Sequence, residues 1–548
     1  MKRLLLMCLI LLLSLSAVTV FAGGEPEEAA ADFERRVDPD TGRDMIGNMY
    51  VSGLPVAKEP EVVRAMVSLH PLNSDILEME VYQRLEDKTN VQIRGEFILP
   101  ASWEERKNLV LASGDLPDLF LGTGALSDSD LVRYGPQGLL VPLEDMLEEY
   151  APNFMDVLDR RPEYERMLTT PDGHIYALPT INELLYREQP DVFLINKTWL
   201  DRLGLDVPTT TDEFYEVLKA FRDGDPNQSG RRDEIPFSFV YGSTANGIYS
   251  FFGSFGVLDN PQHLVVENDR VMFSAIQPEY REGLEYFQML YSEGLIDPEA
   301  FTHDLPQFRA KARETPEVIG AFTTWLDENE VGPDRAVNDY VAVPPLAGPR
   351  GDRLWNRYDG EFVMRNSFII TSEARHPELL VRWVNELFEE RFALEIARGP
   401  FGVTLEELPD GRIEFKPNPP GMGYGEFRFS NAPGDAFPGV VYQEMYERIG
   451  LPTGQARKLN EHYPLYRPYF PEQVYPKLFF TPEQERRLAV LQTDIESYVE
   501  ESAARWIVGD DPLTDQQWQT YLNQLNRMGL DELMAIYQDA YDTFHGIQ

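Results

Sequence analysis

Apolar residues in this chain follow two spacings: short runs or alternations, and steps of three and four. "VVRAMVSL" (62–69) reads as a strand, and "DILEMEVYQRLEDKTNV" (75–91) has the helical spacing. "VQIRGEFIL" (91–99) returns to strand, "SWEERKNLVLASG" (102–114) to helix, and "DLPDLFLGTG" (115–124) is an apolar strand ending in glycines. Strands alternating with helices predict an α/β layer with a largely parallel sheet. Ligands in such sheets bind beyond the carboxyl ends of strands, which makes Thr123, between Gly122 and Gly124, a candidate contact.

The pattern then repeats. "DGHIYALPT" (172–180) pairs a turn with an extended run, and "DVFLINKTWLDRLGL" (191–205) starts a new strand and helix. "VPTTTDEFYEVLKAFRD" (207–223) opens with threonine caps and has a helical apolar face. A crossover between two lobes is expected near 178–192, and "DYVAVPPLAG" (339–348) would carry the chain back. "SFIITSEARHPELLVRWVNELFEERFALEIARG" (367–399) reads as strand, loop and long helix. From Thr481 onward the pattern is helical, broken at "GDDPLTD" and "RMGLDE". Lobe 1 is therefore expected over 61–180 plus 345–400 and lobe 2 over 181–344. A helical extension over 401–548 would pack on lobe 2 and the hinge.

Residues 23–60 lack periodicity and are rich in Glu, Ala, Gly, Asp and Pro, the composition of a flexible leader. Ahead of them, Lys2 and Arg3 precede an apolar run, Leu4 to Phe21, and Val20 and Ala22 stand at −3 and −1 before Gly23. These are the parts of a cleaved signal peptide over 1–22. A retained anchor is the competing reading, because the run is near the lower limit for a span. The single cysteine, Cys8, lies inside the run, so a periplasmic mature chain would hold no disulfide.

Charge narrows the partners. The formal net charge of −43 repels nucleic acid and anionic lipid at long range. It favours a neutral ligand over a polyanion, unless Arg357, Arg365 or Arg428 forms a local basic pocket. None of the zinc-protease, nucleophile-elbow, phosphate-loop or dinucleotide motifs is present. With 92 acidic residues, carboxylate pairs are expected by chance, so a two-carboxylate glycosidase or a lyase remains the alternative without positive support.

"DPNQSGRRDEIP" (225–236) is the sharpest local signal. Asp225, Asn227 and Ser229 alternate, Gly230 follows, and Asp233 and Glu234 come next. Calcium takes six to eight hard oxygens, and EF-hand loops use positions 1, 3, 5, 7 and 12 with glycine at 6. Position 12 here is Pro236, so Asp233 and Glu234 would have to close the shell. An Asx-rich turn without metal has the same composition. Among the aromatics, Trp325, Trp355 and Tyr358 follow strand-like or crossover stretches, where a ring could meet the C–H face of a sugar. Glu183 near the first crossover, and Asp359 and Glu361 beside Tyr358, are the candidate partners for hydroxyls.

"SGDLPDLFLG" (113–122), "DGHIYALP" (172–179), the block at 195–238 and the terminal helices together resemble the extracellular solute-binding proteins, family 1, of carbohydrate ABC transporters. The similarity is greatest to the large lipoprotein-like and alginate-oligosaccharide-binding members. It implies a two-lobed α/β periplasmic-binding-protein fold (type II-like) with hinge crossovers and extra carboxy-terminal helices. It also implies an oligosaccharide ligand and permease partners, with no catalysis and a monomeric state. The matching loop in alginate-binding members holds Ca2+, which implies Asp225, Asn227, Ser229, Asp233 and Glu234 as ligands. The Ser229 position is served there by a backbone carbonyl. Many relatives carry a lipid-anchoring cysteine near the start, and this chain departs from them by having only Cys8.

Overall fold

The computed structural model describes residues 34–547 apart from 74, 123, 359–361, 421, 423, 435 and 436; the signal-peptide expectation lies outside them. Two sheets divide the chain into two lobes. In lobe 1 a six-stranded sheet runs in the order Gly439–Val441, Leu178–Asn182, Val363–Ile370, Leu119–Leu121, Glu61–Ser68, Val91–Ile98. In lobe 2 a four-stranded sheet runs Tyr340–Ala342, Val192–Asn196, Ile319–Thr324, Ile235–Ser238.

Neither sheet is wholly parallel, and the exception has the same cause in both. Val363–Ile370 is antiparallel to both its neighbours, and so is Val192–Asn196. Each is the first strand made after the chain crosses between lobes. A chain that leaves one sheet at its cleft edge enters the next sheet from the cleft, so it must run against strands that end there.

The boundaries differ from expectation in two places. Residues 34–60 are not a loose leader. They form a small antiparallel sheet, and Met49, Val56 and Ala57 join the lobe 1 core. Buried Asp38 fastens this segment by accepting bonds from Lys58 Nζ at 2.8 Å, Tyr50 Oη at 2.5 Å and Thr41 Oγ1 at 2.8 Å. Those contacts are between side chains and leave no periodicity in the sequence. Residues 401–481 are not simply helical either. Leu405–Glu407, Ile413–Phe415 and Ile449–Gly450 pair with one another, and Gly439–Val441 adds an edge strand to lobe 1. That added strand forces a third crossing of the hinge.

The three crossings lie side by side. Asn182 N–H donates to Phe362 O, Glu183 N–H to Val441 O and Tyr358 N–H to Glu188 O. Tyr466, fully buried on the third crossing, accepts from Phe193 N–H at 2.9 Å and reaches Val343 O at 2.6 Å. One side chain thus ties the third crossing to two segments of lobe 2.

The terminal helices Pro482–Val508, Asp515–Met528 and Leu530–His545 follow their pattern. Thr481 caps the first with a reciprocal Thr481–Gln484 box, a strong start signal. Its buried stripe (Leu488, Leu491, Ile495, Val499, Ala503, Trp506) continues the lobe 2 core. It also touches lobe 1, where Ser129 Oγ donates to Glu485 Oε2 at 2.7 Å.

Candidate functional site

A cavity of about 880 Å3 opens between the lobes. Lobe 1 contributes Gly124, Asp128 and strand residues Val363 to Asn366; lobe 2 contributes Leu258 to Val266 and Trp325. The second crossing supplies Asn356, Arg357 and Tyr358, and the third supplies the stretch from Pro471 to Leu478. Its size lies toward the upper end of the roughly 300–1,000 Å3 typical of small-ligand sites.

Trp325 follows the central strand Ile319–Thr324, half-buried on the cleft wall. Its ring is held from behind. Lys458 Nζ lies 3.2 Å from the ring centroid, and Tyr186 meets it edge-on at 5.9 Å. Lys458 is fully buried, donates to Gln189 O at 3.1 Å, and burial lowers its pKa well below the ordinary lysine value. It stands at the start of a π-helical turn, Lys458–His462, so a widened turn delivers this ammonium to the hinge. Nearby Asp191 is also buried; burial pushes its carboxyl up to about 7, and Ser250 Oγ donates to it at 2.8 Å.

Polar groups on the walls divide into satisfied and unsatisfied. Asp128 accepts from Arg365 and, at 2.7 Å, from Asn366 Nδ2, fixing the lobe 1 wall. Asn366 Oδ1 and Arg357 Nε, by contrast, are buried with no protein partner among the described residues. An unpaired buried polar atom costs about 1–3 kcal/mol, which a ligand hydroxyl or water can recover. Basic groups predominate in this acidic chain, since Arg187, Arg357, Arg365 and Lys477 face Asp128 among the described lining residues. Arg428 lies away from the cleft, over the ring of Phe429.

The candidates named from sequence separate clearly. Trp325 and half-buried Tyr358 line the cavity. Trp355 does not. It is 1% exposed, packs against Phe251 and Tyr466, and its indole N–H donates to Asp191 O at 3.3 Å. The expectation of a ligand contact fails there because the second crossing runs along lobe 2 before returning, which turns this ring into the core. Glu183 is also turned away. Oε1 accepts from Arg161 Nε and Tyr164 Oη, and Oε2 from a second Arg161 nitrogen and Gln443 N–H. With both oxygens filled, it braces the crossings and does not line the cavity. Thr123, Asp359 and Glu361 lie outside the described residues. Sequence reasoning missed Arg187, Asn260, Asn356, Asn366 and Gln473, all lining residues. Nothing marks these ordinary amides and arginine before the lobes meet.

The 225–234 loop begins where helix Thr211–Gly224 ends, with Asp225 in the left-handed region at φ +47°. Asp233 Oδ1 accepts from Asn227 Nδ2 at 2.9 Å and Ser229 Oγ at 2.7 Å, and Asp225 Oδ1 from Gly230 N–H at 3.2 Å. Glu234 Oε1 is buried and unpaired, and burial with the charges of Asp233 and Asp225 raises that carboxyl's pKa. Clustered carboxylates with an orphaned oxygen fit a hard cation. Among the described residues no three His, Cys, Asp or Glu side chains form a group able to hold a metal, so amide, hydroxyl or carbonyl oxygens would have to complete it. The loop precedes strand Ile235–Ser238, which runs parallel to Ile319–Thr324. Trp325 follows the other end of that pair, so loop and cleft are separated by the strand length, roughly 20 Å.

A two-lobed α/β fold with a hinged cleft defines a solute-binding protein, and residues 71–391 match the bacterial extracellular solute-binding protein family. The chain belongs to that family. It is 34% identical, over 89% of this chain and 91% of the other, to the fructooligosaccharide ABC transporter substrate-binding protein FusA of Streptococcus pneumoniae. A FusA structure in complex with kestose aligns with TM-score 0.79 and 33% identity, over 89% of this chain and 100% of that one. Another FusA structure is an EF-hand mutant in complex with fructo-nystose. An HMO-binding solute-binding protein from Bifidobacterium longum infantis shares the fold at TM-score 0.80 and 24% identity, over 90% and 100% of the two chains.

Proposed function

We propose that this protein is the substrate-binding component of an ABC importer, capturing a neutral oligosaccharide of the fructooligosaccharide type and delivering it to the permease. The observation that carries this reading is the inter-lobe cavity, with Trp325 and Tyr358 on its walls and Asn366 and Arg357, whose Oδ1 and Nε are orphaned, among its lining residues. Rings take the C–H faces of a sugar and the orphaned atoms pair its hydroxyls. Thr123 and Asp359, each next in sequence to a lining residue, and Glu361, two residues before lining Val363, join this set as proposed hydroxyl partners.

The protein binds without turnover and works as a monomer outside the cytoplasm. Differential affinity for the closed state drives closure about the three crossings. Calcium is held at Asp225, Asn227, Ser229, Asp233 and Glu234, as a brace for lobe 2 remote from the ligand.

The test is calorimetric titration with kestose, small-angle scattering with and without it, and chromatography of the recovered sugar. Micromolar or tighter binding, a smaller radius of gyration and unchanged kestose are expected. Hydrolysis of the sugar, or binding without compaction, overturns the reading. A uronate-bearing sugar is the second reading, favoured by the basic lining; stronger binding of trigalacturonate than of kestose would select it.

A further inference from the structure

A second cavity of about 400 Å3 adjoins the first, and Gly124 and Met364 line both. It sits beyond the carboxyl ends of strands Glu61–Ser68 and Val91–Ile98, wholly on lobe 1, between the loop Ser68–Pro71, the start of helix Pro100–Ser113, and Phe429. A small crevice of a shared cleft would not deserve a role of its own, but this one has a built wall.

The imidazole of His70 stacks on Phe429 with centroids 3.8 Å apart and planes 8° apart. The Arg428 guanidinium lies 4.5 Å from the centroid of the same ring. The stacked His70 and Phe429 rings form the wall. Asn73 fixes it, accepting from His70 N–H at 2.9 Å and donating to Phe429 O and Ala432 O at 3.1 Å. His70 Nδ1 accepts from Leu72 N–H at 3.2 Å, which sets the ring's rotation. Opposite stands Trp103, buried, with its indole N–H committed to Ala125 O at 3.1 Å.

At Gly124, which lines both cavities, an added Cβ would meet nothing within 4 Å, so that point of the shared lining is open. The rings of the wall are held by the Asn73 side chain, by backbone contacts and by their own stacking, before any ligand arrives. Such preorganised aromatic surface lining a cavity of about 400 Å3 suits the apolar face of a further ring.

We infer that the lobe 1 chamber is an extension subsite that takes the distal units of a longer oligosaccharide, so that the protein prefers tetra- and pentasaccharides to trisaccharides. The inference rests on the reading of the main cleft as a fructan site. A chain leaving that cleft past Gly124 would stack a ring against the His70–Phe429 column. Because the chamber lies within lobe 1 alone, it holds its ligand equally in open and closed states and sets affinity for length without driving closure.

The experiment is calorimetric titration of the full mature chain with kestose, nystose and fructo-nystose, for wild type, His70→Ala and Phe429→Ala. Wild type is expected to bind fructo-nystose roughly five- to tenfold more tightly than kestose. Each variant should lose that gain while binding kestose within about twofold of wild type. Equal wild-type affinities along the series overturn the inference without needing either variant to fold, and leave the cleft reading intact. A retained length gain in His70→Ala overturns it too. If kestose and its longer homologues all fail to bind, the cleft reading falls first and this inference with it.

Discussion

Trp325 and Trp355 carry the same signal in sequence, an aromatic ring in a polar stretch beside a strand-like run, yet they occupy opposite environments. Trp325 ends a central strand at the cleft, with a buried ammonium behind its ring. Trp355 fills the space where the second crossing, lobe 2 and the third crossing meet, with Phe251 and Tyr466 against it. One position is defined by the strand it follows. The other is defined by how two remote segments close over it. A ring at a strand end therefore keeps its sequence-level meaning, while a ring on a crossover takes its meaning from whichever neighbours arrive.

That contrast can be broken in measurable ways. Trp355→Ala removes a fully buried ring and should cost about 3–5 kcal/mol of stability, read as a large fall in chemical-denaturation midpoint. If its main effect is instead on kestose affinity with stability unchanged, Trp355 belongs to the cleft after all.

Asp191, whose carbonyl accepts from that indole, gives a pH-dependent version of the same test. Its folded pKa is raised to about 7, so it contributes stability that is fully present below the ordinary aspartate value and lost as pH rises through 7. Melting temperature should therefore fall between pH 5 and pH 8, and Asp191→Asn should flatten that part of the profile. An unchanged slope in the variant would remove Asp191 from the account.

Trp325→Ala should weaken kestose binding by roughly 2 kcal/mol, about thirtyfold, with the melting temperature nearly unmoved. A matching loss of stability would make this ring as structural as Trp355. The smallest expected change in affinity comes from the cation loop. Chelator should lower the melting temperature while kestose affinity shifts less than about twofold, because the loop stands a strand's length from the cleft. A large affinity loss on chelation would bring metal and ligand together and contradict that separation.

The α/β alternation, the two lobes and the terminal helices were legible because they rest on local periodicity, as with Phe214, Val217, Leu218 and Phe221 on one face of Thr211–Gly224. The oxygen spacing of the 225–234 loop was legible for the same reason, since its groups are neighbours in the chain. Glu183 misled because an acidic residue beside a crossover looks alike whether it meets a sugar or Arg161. Its partners Arg161, Tyr164 and Gln443 come from separate segments. The third crossing was hidden because "GVV" at 439–441 is too short to signal a strand until it finds the edge of Leu178–Asn182.

By itself, then, the sequence determined the kinds of element, their order, the family and the oxygen spacing of one loop, all properties set by residues near one another in the chain. Only the tertiary structure decided which aromatic faces the cleft, which carboxylate is spent on an arginine, and that three crossings of the chain rather than two form the hinge. Those outcomes depend on burial, and burial is set by segments hundreds of residues apart, whose meeting no local pattern records.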